Sequence, residues 1–304
     1  MWILCYSNNM SSSQQNLIEM HCHTVFSPDA KRTPEELVEA AAAQGVNVFS
    51  ITDHNHLGAQ ERAAQHAASF GMRYVPGIEI DAIVPNGGNC HFVCFNVDVH
   101  DAALQSVAAQ TSSSYSKRFL ELHPHLQEFD CALDLEEMKQ RLPERYPTNP
   151  EADVNIWFAR ELLLEQKKIP DAAAYSQIVR QIQQKLRDAN QLQNLPRVQF
   201  EAMRDAVHGA GGKVLLAHVS RYHRGDMDQQ LALIENLLSN GMDGFELYHP
   251  DNTKEPEFHR LEEMARHTDC LLSGGSDCHD VQDENRNQHF AKTKVDDWFW
   301  QRLV

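Results

Sequence analysis

Basic residues are scarce in this chain of 304 residues, since 27 Lys and Arg face 43 Asp and Glu and give a formal charge of -16. A large nucleic-acid-binding surface needs clustered Lys and Arg to displace phosphate counterions, so the composition argues against such a surface. Polyanions would be repelled by the protein as a whole. An anionic substrate therefore requires a local site that reverses the field.

Paired cysteines and long apolar runs are also missing. The seven Cys are scattered, and none stands in the C-x-x-C spacing of zinc sites, so we expect reduced thiols in a cytoplasmic protein. Residues 1–5 are apolar but too few to span a membrane, and they lack the basic start of a signal peptide. We expect residues 1–16 to form a disordered tail, and we expect no membrane contact.

Glycine is absent from residues 101–196, where apolar residues such as Ile178, Ile182 and Leu186 recur at helical intervals. This pattern predicts a helical insertion, or lid, between two parts of one barrel, residues 17–100 and 197–304. In those parts apolar strand-like runs alternate with amphipathic segments, and Thr33 begins a capping box that predicts a helix over 34–44. The alternation predicts an α/β fold built around a parallel barrel.

Polar side chains follow the ends of the predicted strands. His21 and His23 form an H-x-H pair whose rings point to the same side of an extended backbone, although a surface pair can have the same spacing. Strand ends converge on one face of a barrel, so residues distant in sequence meet there. We expect a cluster that binds two or three divalent metal ions, formed by His21, His23, Asp29, His54, Glu79, His91, His218, Asp277 and His279.

The motifs around these residues resemble those of the polymerase and histidinol phosphatase (PHP) superfamily. The resemblance covers about residues 17–98 and 198–280 and is strongest to metal-dependent phosphoesterases of the RNase AM or nucleotide-phosphatase type. The motifs are His21-Cys22-His23-Thr24, Ser27-Pro28-Asp29, Thr52-Asp53-His54-Asn55, Pro76-Gly77-Ile78-Glu79, Ala217-His218 and Ser276-Asp277-Cys278-His279.

This resemblance implies a distorted (β/α)7 TIM-like barrel and a trinuclear metal site. It assigns His21, His23, Glu79 and Asp277 to the first metal, Asp29, His54 and His279 to the second, and Glu79, His91 and His218 to the third. Asp29, His54, Glu79 and His279 are then also the expected catalytic residues.

The expected chemistry follows from this ligand set. Three divalent ions against three carboxylates leave a local charge of roughly +3, which attracts a phosphate dianion. Bound metals lower the pKa of water, so a metal-activated hydroxide serves as the nucleophile. Mixed His and carboxylate ligands fit Mn, Fe or Zn, with Mn as the first choice. We predict a metal-dependent phosphoesterase that acts on a nucleoside monophosphate, a nucleoside 3′,5′-bisphosphate or a short oligonucleotide end.

Three alternatives to this activity remain. A histidinol-phosphate phosphatase or another PHP hydrolase would use the same metal site. A C–N hydrolase on a related barrel is disfavoured, because no Lys ends a predicted strand and could bridge two metals. A metal-binding module without turnover is the alternative from a different functional class.

Three residues are predicted substrate contacts. Arg221 follows the ligand His218 and is either a bidentate phosphate clamp or a solvated loop residue. His249 either contacts the substrate, as a proton donor, or is an ordinary turn residue. Arg160, in the insertion, is either a phosphate contact or a surface side chain. Asn155 and Trp157 stand where the family usually has Arg and His, which favours substrates with one terminal phosphate.

Overall fold

The computed structural model describes residues 16–195, 197–283 and 288–295, so the predicted tail lies almost entirely outside the described residues. The first elements are β1 (Asn16–Glu19), α1 (Pro34–Ala43), β2 (Val48–Phe49), α2 (Gln60–Ser69), β3 (Arg73–Tyr74), β4 (Gly77–Ile83) and β5 (Asn89–Phe95). The following segment contains α3 (Ala102–Leu122), a 3-10 helix (His123–Phe129), α4 (Leu135–Arg145), α5 (Ile156–Glu165) and α6 (Ala172–Asp188).

The second half returns to alternating helices and strands. Its elements are α7 (Phe200–Gly209), β6 (Lys213–Leu216), a 3-10 turn (Val219–Arg221), α8 (Met227–Ser239), β7 (Gly244–Tyr248), the short α9 (Pro250–Thr253), α10 (Phe258–His267), β8 (Leu271–Gly274) and β9 (Thr293–Val295). Among the described residues, no helix is both long and apolar enough to cross a bilayer.

The described strands lie in two sheets, with the orders β3-β2-β1-β9 and β4-β5-β6-β7-β8. The mixed α/β fold is confirmed, but the TIM-like barrel is not. The turn at residues 87–88 closes an antiparallel hairpin in which Gly77 pairs with Phe95 and Ile83 with Asn89, and β5 is also antiparallel to β6. A TIM barrel requires a helical crossover between parallel neighbours at each of these steps.

The two sheets nevertheless meet where their polar strand ends lie. The backbone N–H of Met20 donates to Gly274 O at 3.2 Å, and that of Asn55 donates to Glu79 O at 2.7 Å. A side chain at Gly275 would place its Cβ 2.4 Å from the backbone nitrogen of His21, so this close approach requires glycine. The ends of both sheets therefore face one site without a continuous ladder of strands.

Helix α1 begins as its sequence predicts. The Thr33 side chain accepts a hydrogen bond from Glu36 N, and the Glu36 carboxylate accepts one from Thr33 N at 2.8 Å. Pro34 occupies the first turn, where its missing N–H has no helical partner to lose. Leu37 and Val38 are buried and fix the helix against the first sheet.

The segment between residues 101 and 196 is helical, as its lack of glycine predicts. Its buried side chains Phe119, Tyr146 and Phe158 belong to the same apolar cluster as Val38 of α1 and Phe49 of β2. The segment therefore packs firmly against the sheets. Its role as a lid and the exact domain boundaries stay predictions.

The six cysteines among the described residues are free thiols, which fits the prediction of reduced cysteines. Cys22, Cys90, Cys94, Cys131, Cys270 and Cys278 are free and buried, while Cys5 lies outside the described residues. Cys22 and Cys278 alternate with the predicted ligands along the chain and pack in the core.

Candidate metal centre

The structure brings the nine predicted ligands together. They follow β1, β2, β6 and β8, except for Glu79 and His91, which lie within the β4–β5 hairpin. Asp29 and His279 form a pair at the rim, with 3.4 Å between Oδ2 and Nε2.

Glu79 lies at the centre of the cluster and is completely buried. Its Oε2 is 3.3 Å from Nε2 of both His21 and His23 and 3.0 Å from Nδ1 of His54. Its Oε1 is 3.0 Å from His91 Nδ1 and 3.0 Å from His218 Nε2. Burial raises the pKa of Glu79, but His54, His21 and His91 outweigh it and hold that pKa well below its usual range. The carboxylate is therefore charged, and both of its oxygens face imidazole nitrogens.

Asp277 supplies a second buried carboxylate. Its Oδ1 is 3.0 Å from His23 Nε2 and 3.4 Å from His21 Nε2. Burial raises the pKa of Asp277, yet His21 and His279 hold it well below the usual value. Two charged carboxylates thus converge on the ring nitrogens of the H-x-H pair.

Unsatisfied ligand atoms test whether metal ions fit this cluster. Within the described residues, several buried atoms lack a hydrogen-bond partner, namely His21 Nε2, Asp29 Oδ1, His54 Nδ1, Glu79 Oε2 and His218 Nδ1. Buried polar atoms are costly when unpaired, and imidazole nitrogens and carboxylate oxygens are metal ligands. The donor set therefore fits divalent ions.

The ligand atoms also lie close enough to share ions. Three groups have donor atoms within 4.8 Å of one another: His21, His23, Glu79 and Asp277; His23, His54 and His279; and His54, Glu79 and His91. The first group equals the predicted ligand set of the first metal. The other two groups overlap the second and third predicted sets without matching them, so the assignment of ligands to individual ions stays a prediction.

Four of the predicted ligand histidines, His23, His91, His218 and His279, form two electrostatic classes. Burial lowers the pKa of each, but the carboxylates beside them raise the pKa of His91 and of His279 to about 9. For His23 and His218 burial dominates and lowers the pKa to about 3 and about 4. The second class is neutral at physiological pH and thus ready to bind a cation through a free lone pair.

A buried carboxylate that sequence reasoning missed, Glu246 of β7, orients two of these ligands. Its Oε1 is 3.0 Å from His21 Nδ1, and its Oε2 accepts a hydrogen bond from His218 N at 2.7 Å. A carboxylate on one ring nitrogen fixes the tautomer and turns the other nitrogen toward a metal. The sequence carried a signal for this residue, because Glu246, like Glu79, is an acid within an apolar strand.

A second missed group connects the helical segment to the centre. Tyr115 of α3 donates its hydroxyl to Asp81 Oδ2 at 2.9 Å and accepts a hydrogen bond from Asn55 Nδ2 at 2.7 Å. Asp81 Oδ1 lies 3.2 Å from His91 Nε2. Tyr115 therefore helps to hold the carboxylate that faces His91, and no sequence motif indicated this contact.

The three predicted substrate contacts have different positions. Arg221 reaches the centre, where its Nη2 lies 2.7 Å from Asp277 Oδ2 and its Nε 2.8 Å from Asp251 Oδ2. His249 is buried with its Nε2 3.9 Å from Asp277 Oδ2. Among the described residues, no hydrogen bond or ion pair joins Arg160 to the predicted ligands. Burial raises the pKa of the Tyr175 hydroxyl in α6, and the nearby charge of Arg160 opposes that rise.

Residues 19–236 match the family model of the PHP domain. The chain belongs to the PHP domain family. It is 27% identical to a 5′-3′ exoribonuclease of Haemophilus influenzae over 86% of this chain and 89% of that one. It is 26% identical to a 3′,5′-nucleoside bisphosphate phosphatase of Chromobacterium violaceum over 86% and 87%.

A solved structure shares the fold of this PHP chain. It is assigned as a metal-dependent phosphoesterase from Bifidobacterium adolescentis, with a TM-score of 0.72, 23% identity and 96% of each chain covered. The predicted family is confirmed, and so is the predicted class of enzyme, a phosphoric ester hydrolase, since the relatives are named as an exoribonuclease and a phosphatase.

An open cleft of about 660 Å³ lies beside the metal centre of this PHP domain. His54 and Ser27 line its inner end, whereas Tyr115 and Asn155 come from the helical segment. Arg160 is not among its lining residues. The cleft therefore gives a small molecule access to the centre, and its walls come from both the sheet ends and the helices.

Proposed function

We propose that this enzyme hydrolyses the terminal phosphate of a small phosphorylated molecule of the nucleotide class, using two or three divalent ions. The observation that carries the proposal is Glu79, a buried, charged carboxylate contacted by five imidazoles, several of which have unpaired ligand atoms. Such a centre concentrates positive charge when loaded, inside a protein of formal charge -16.

The proposed metal ligands are the nine residues of the centre. Bound divalent ions supply Lewis acidity and lower the pKa of water, which the slow hydrolysis of phosphate esters requires. Mixed imidazole and carboxylate donors fit Mn, Fe or Zn, with Mn as the first choice. The buried free thiols support a cytoplasmic location as part of the proposal.

Two residues of this chain act on the substrate directly in the proposal. Arg221 uses Nε and Nη2 for its carboxylate contacts and has further N–H donors with which to hold a phosphoryl oxygen. His249 Nε2 is buried and, within the described residues, makes no hydrogen bond. In the proposal, this nitrogen gives a proton to the leaving oxygen.

The nucleotide class rests on the relatives. One is named for action on RNA from the 5′ end and another for action on nucleoside bisphosphates, so both act on phosphorylated nucleotide units. The acidic composition of this chain favours a single nucleotide or a short end over a long nucleic acid.

A phosphate-release assay with added Mn tests the proposal. The panel contains a nucleoside 5′-monophosphate, a nucleoside 3′,5′-bisphosphate, a 5′-phosphorylated short oligonucleotide and histidinol phosphate, with Glu79→Gln as the inactive control. We expect release from at least one nucleotide. No release from any ester by metal-loaded protein would contradict the activity, and release from histidinol phosphate alone would contradict the nucleotide class.

A further inference from the structure

The cleft beside the metal centre has acidic walls. Glu61 of α2 lies on one wall, and Glu151 and Asp153, between α4 and α5, lie on another. Among the described lining residues, none is Lys or Arg. A cleft that accepted a second phosphate would be expected to present Arg or Lys donors to it.

The three carboxylates are exposed and face solvent within the cleft. Glu151 is 77% exposed and lies 3.1 Å from His56 Nε2, and Glu61 is 65% exposed and lies 3.0 Å from His100 Nε2. Asp153 accepts a hydrogen bond from Val154 N. The lining residues thus include three acidic side chains.

Basic side chains lie near this cleft without lining it. Lys117 Nζ donates to the Oγ of Ser113, a lining residue, at 3.3 Å, although Lys117 itself does not line the cleft. Arg145 lies over the ring of the lining residue Tyr146, and Lys139 lies within electrostatic range of Asp153. Each of these two bases pairs with a carboxylate that does not line the cleft, Glu161 and Glu136 respectively, so the lining acids leave the cleft negative. The remaining lining side chains offer neutral donors and acceptors, among them Asn55, Gln105, Ser112, Tyr115 and Ser116.

We propose that this cleft binds the leaving group and selects against a second phosphate. This inference rests on the proposed function, because it places the reacting phosphate at the metal centre and the rest of the molecule in the cleft beyond His54. The preferred substrates are then phosphomonoesters with a neutral or cationic organic leaving group of nucleoside size, for which about 660 Å³ is ample. A second phosphate would meet like charge without an arginine or lysine to pair with.

The test compares two substrates on one nucleoside, the 5′-monophosphate and the 3′,5′-bisphosphate. We expect the wild type to prefer the monophosphate in kcat/KM by about tenfold or more, since repulsion from several like charges acts on the bisphosphate alone. The triple variant Glu61→Gln, Glu151→Gln, Asp153→Asn should reduce this ratio by about tenfold, chiefly by raising the bisphosphate value. Added salt should reduce the ratio in the wild type and have less effect on the variant.

Two control variants isolate the charges of the cleft. Glu39→Gln removes an exposed carboxylate that pairs with His66 at 3.1 Å outside the cleft, so the ratio should not change. Lys117→Gln removes a base next to the lining residue Ser113 and should increase the ratio. An aminoalkyl phosphate should be hydrolysed better than the alkyl phosphate of equal length, and the triple variant should remove that advantage.

The possible outcomes separate a failure of the substrate selectivity from a failure of the phosphoesterase activity. Equal or better hydrolysis of the bisphosphate by the wild type, or a ratio that the triple variant leaves unchanged, overturns the selection against a second phosphate while the phosphoesterase activity stands. No phosphate release from either substrate by metal-loaded wild type instead contradicts the activity itself.

Discussion

The metal centre and the cleft beside it differ in how far their carboxylates are exposed to water. In the centre, the carboxylates of Glu79, Asp277 and Glu246 are buried, and each contacts at least one imidazole nitrogen. In the cleft, Glu61 and Glu151 are exposed to water and each contacts one histidine. Burial makes every charge in the centre depend on a partner, whereas solvent screens the charges of the cleft.

This difference predicts how each region responds to substitution. Removing one group from the centre leaves buried neighbours unpaired, so effects should be large and should not add. Removing one acid from the cleft should change only the field that a substrate meets. The predictions below run from the largest expected effect to the smallest.

Paired substitutions at His54 and His279 test whether the centre acts as a unit. Both rings stack on His23, with centroids 4.4 and 4.2 Å away. Each single Ala variant should lower kcat by about a hundredfold or more, and the double variant should cost little beyond that, because residues that act together are not additive. Losses that multiply in the double variant would show two independent sites.

Glu246→Gln tests the orientation of His21 and His218. The Gln amide keeps one accepting oxygen but has an NH2 group, a donor, in place of the other. This NH2 would face either the backbone N–H of His218 or the ring Nδ1 of His21. We expect metal affinity to fall about 10- to 100-fold with the fold retained. Calorimetric metal titration measures this, with Glu39→Gln as the matched loss of a carboxylate. Wild-type affinity in Glu246→Gln would refute the role.

Arg221 and Arg160 form a matched pair of arginines, one at the centre and one away from it. Arg221→Ala should raise KM for phosphate esters about tenfold, since a charge-assisted contact is lost. Arg160→Ala should leave KM unchanged, because Arg160 does not line the cleft. A raised KM in Arg160→Ala would restore its predicted phosphate contact, and an unchanged KM in Arg221→Ala would remove the proposed clamp.

The metal-free protein should lose stability as pH rises through about 9. Carboxylates outweigh burial and raise the pKa of His91 and His279 from 6.5 to about 9. The stabilisation from these two protonated rings is complete below pH 6.5. It is lost as the pH rises through the folded-state pKa of about 9. The same protons must leave before metal binds, so metal affinity should increase from pH 7 to pH 9. Denaturant unfolding and metal titration at both pH values measure the two trends, and opposite slopes would contradict them.

The sequence predicted the centre better than its surroundings. Polar residues that follow apolar runs at strand ends gave a local signal, which identified His21, His23, His218 and Asp277. This signal does not depend on how the strands are arranged. Glu246 carried the same signal as Glu79 and was overlooked. Tyr115 and Asp81 could not be found, because their contact joins α3 to β4 over 34 residues and depends on packing.

The barrel prediction was not confirmed, for a related reason. Alternating helices and strands indicate parallel neighbours, but the residues between β4 and β5 form a tight turn that pairs the strands antiparallel. The phosphate contact of Arg160 stays a prediction, because helical spacing alone does not fix which way α5 faces.

The most direct test of the central claim is the metal content of Glu79→Gln beside that of the wild type. Elemental analysis of the purified, Mn-loaded proteins, with phosphate release measured on the same samples and circular dichroism to verify folding, gives the answer. We expect two or three ions per wild-type chain, and a folded variant that loses both metal and activity. A variant that retained wild-type metal content and turnover would contradict the account of Glu79 as the bridging centre of the site.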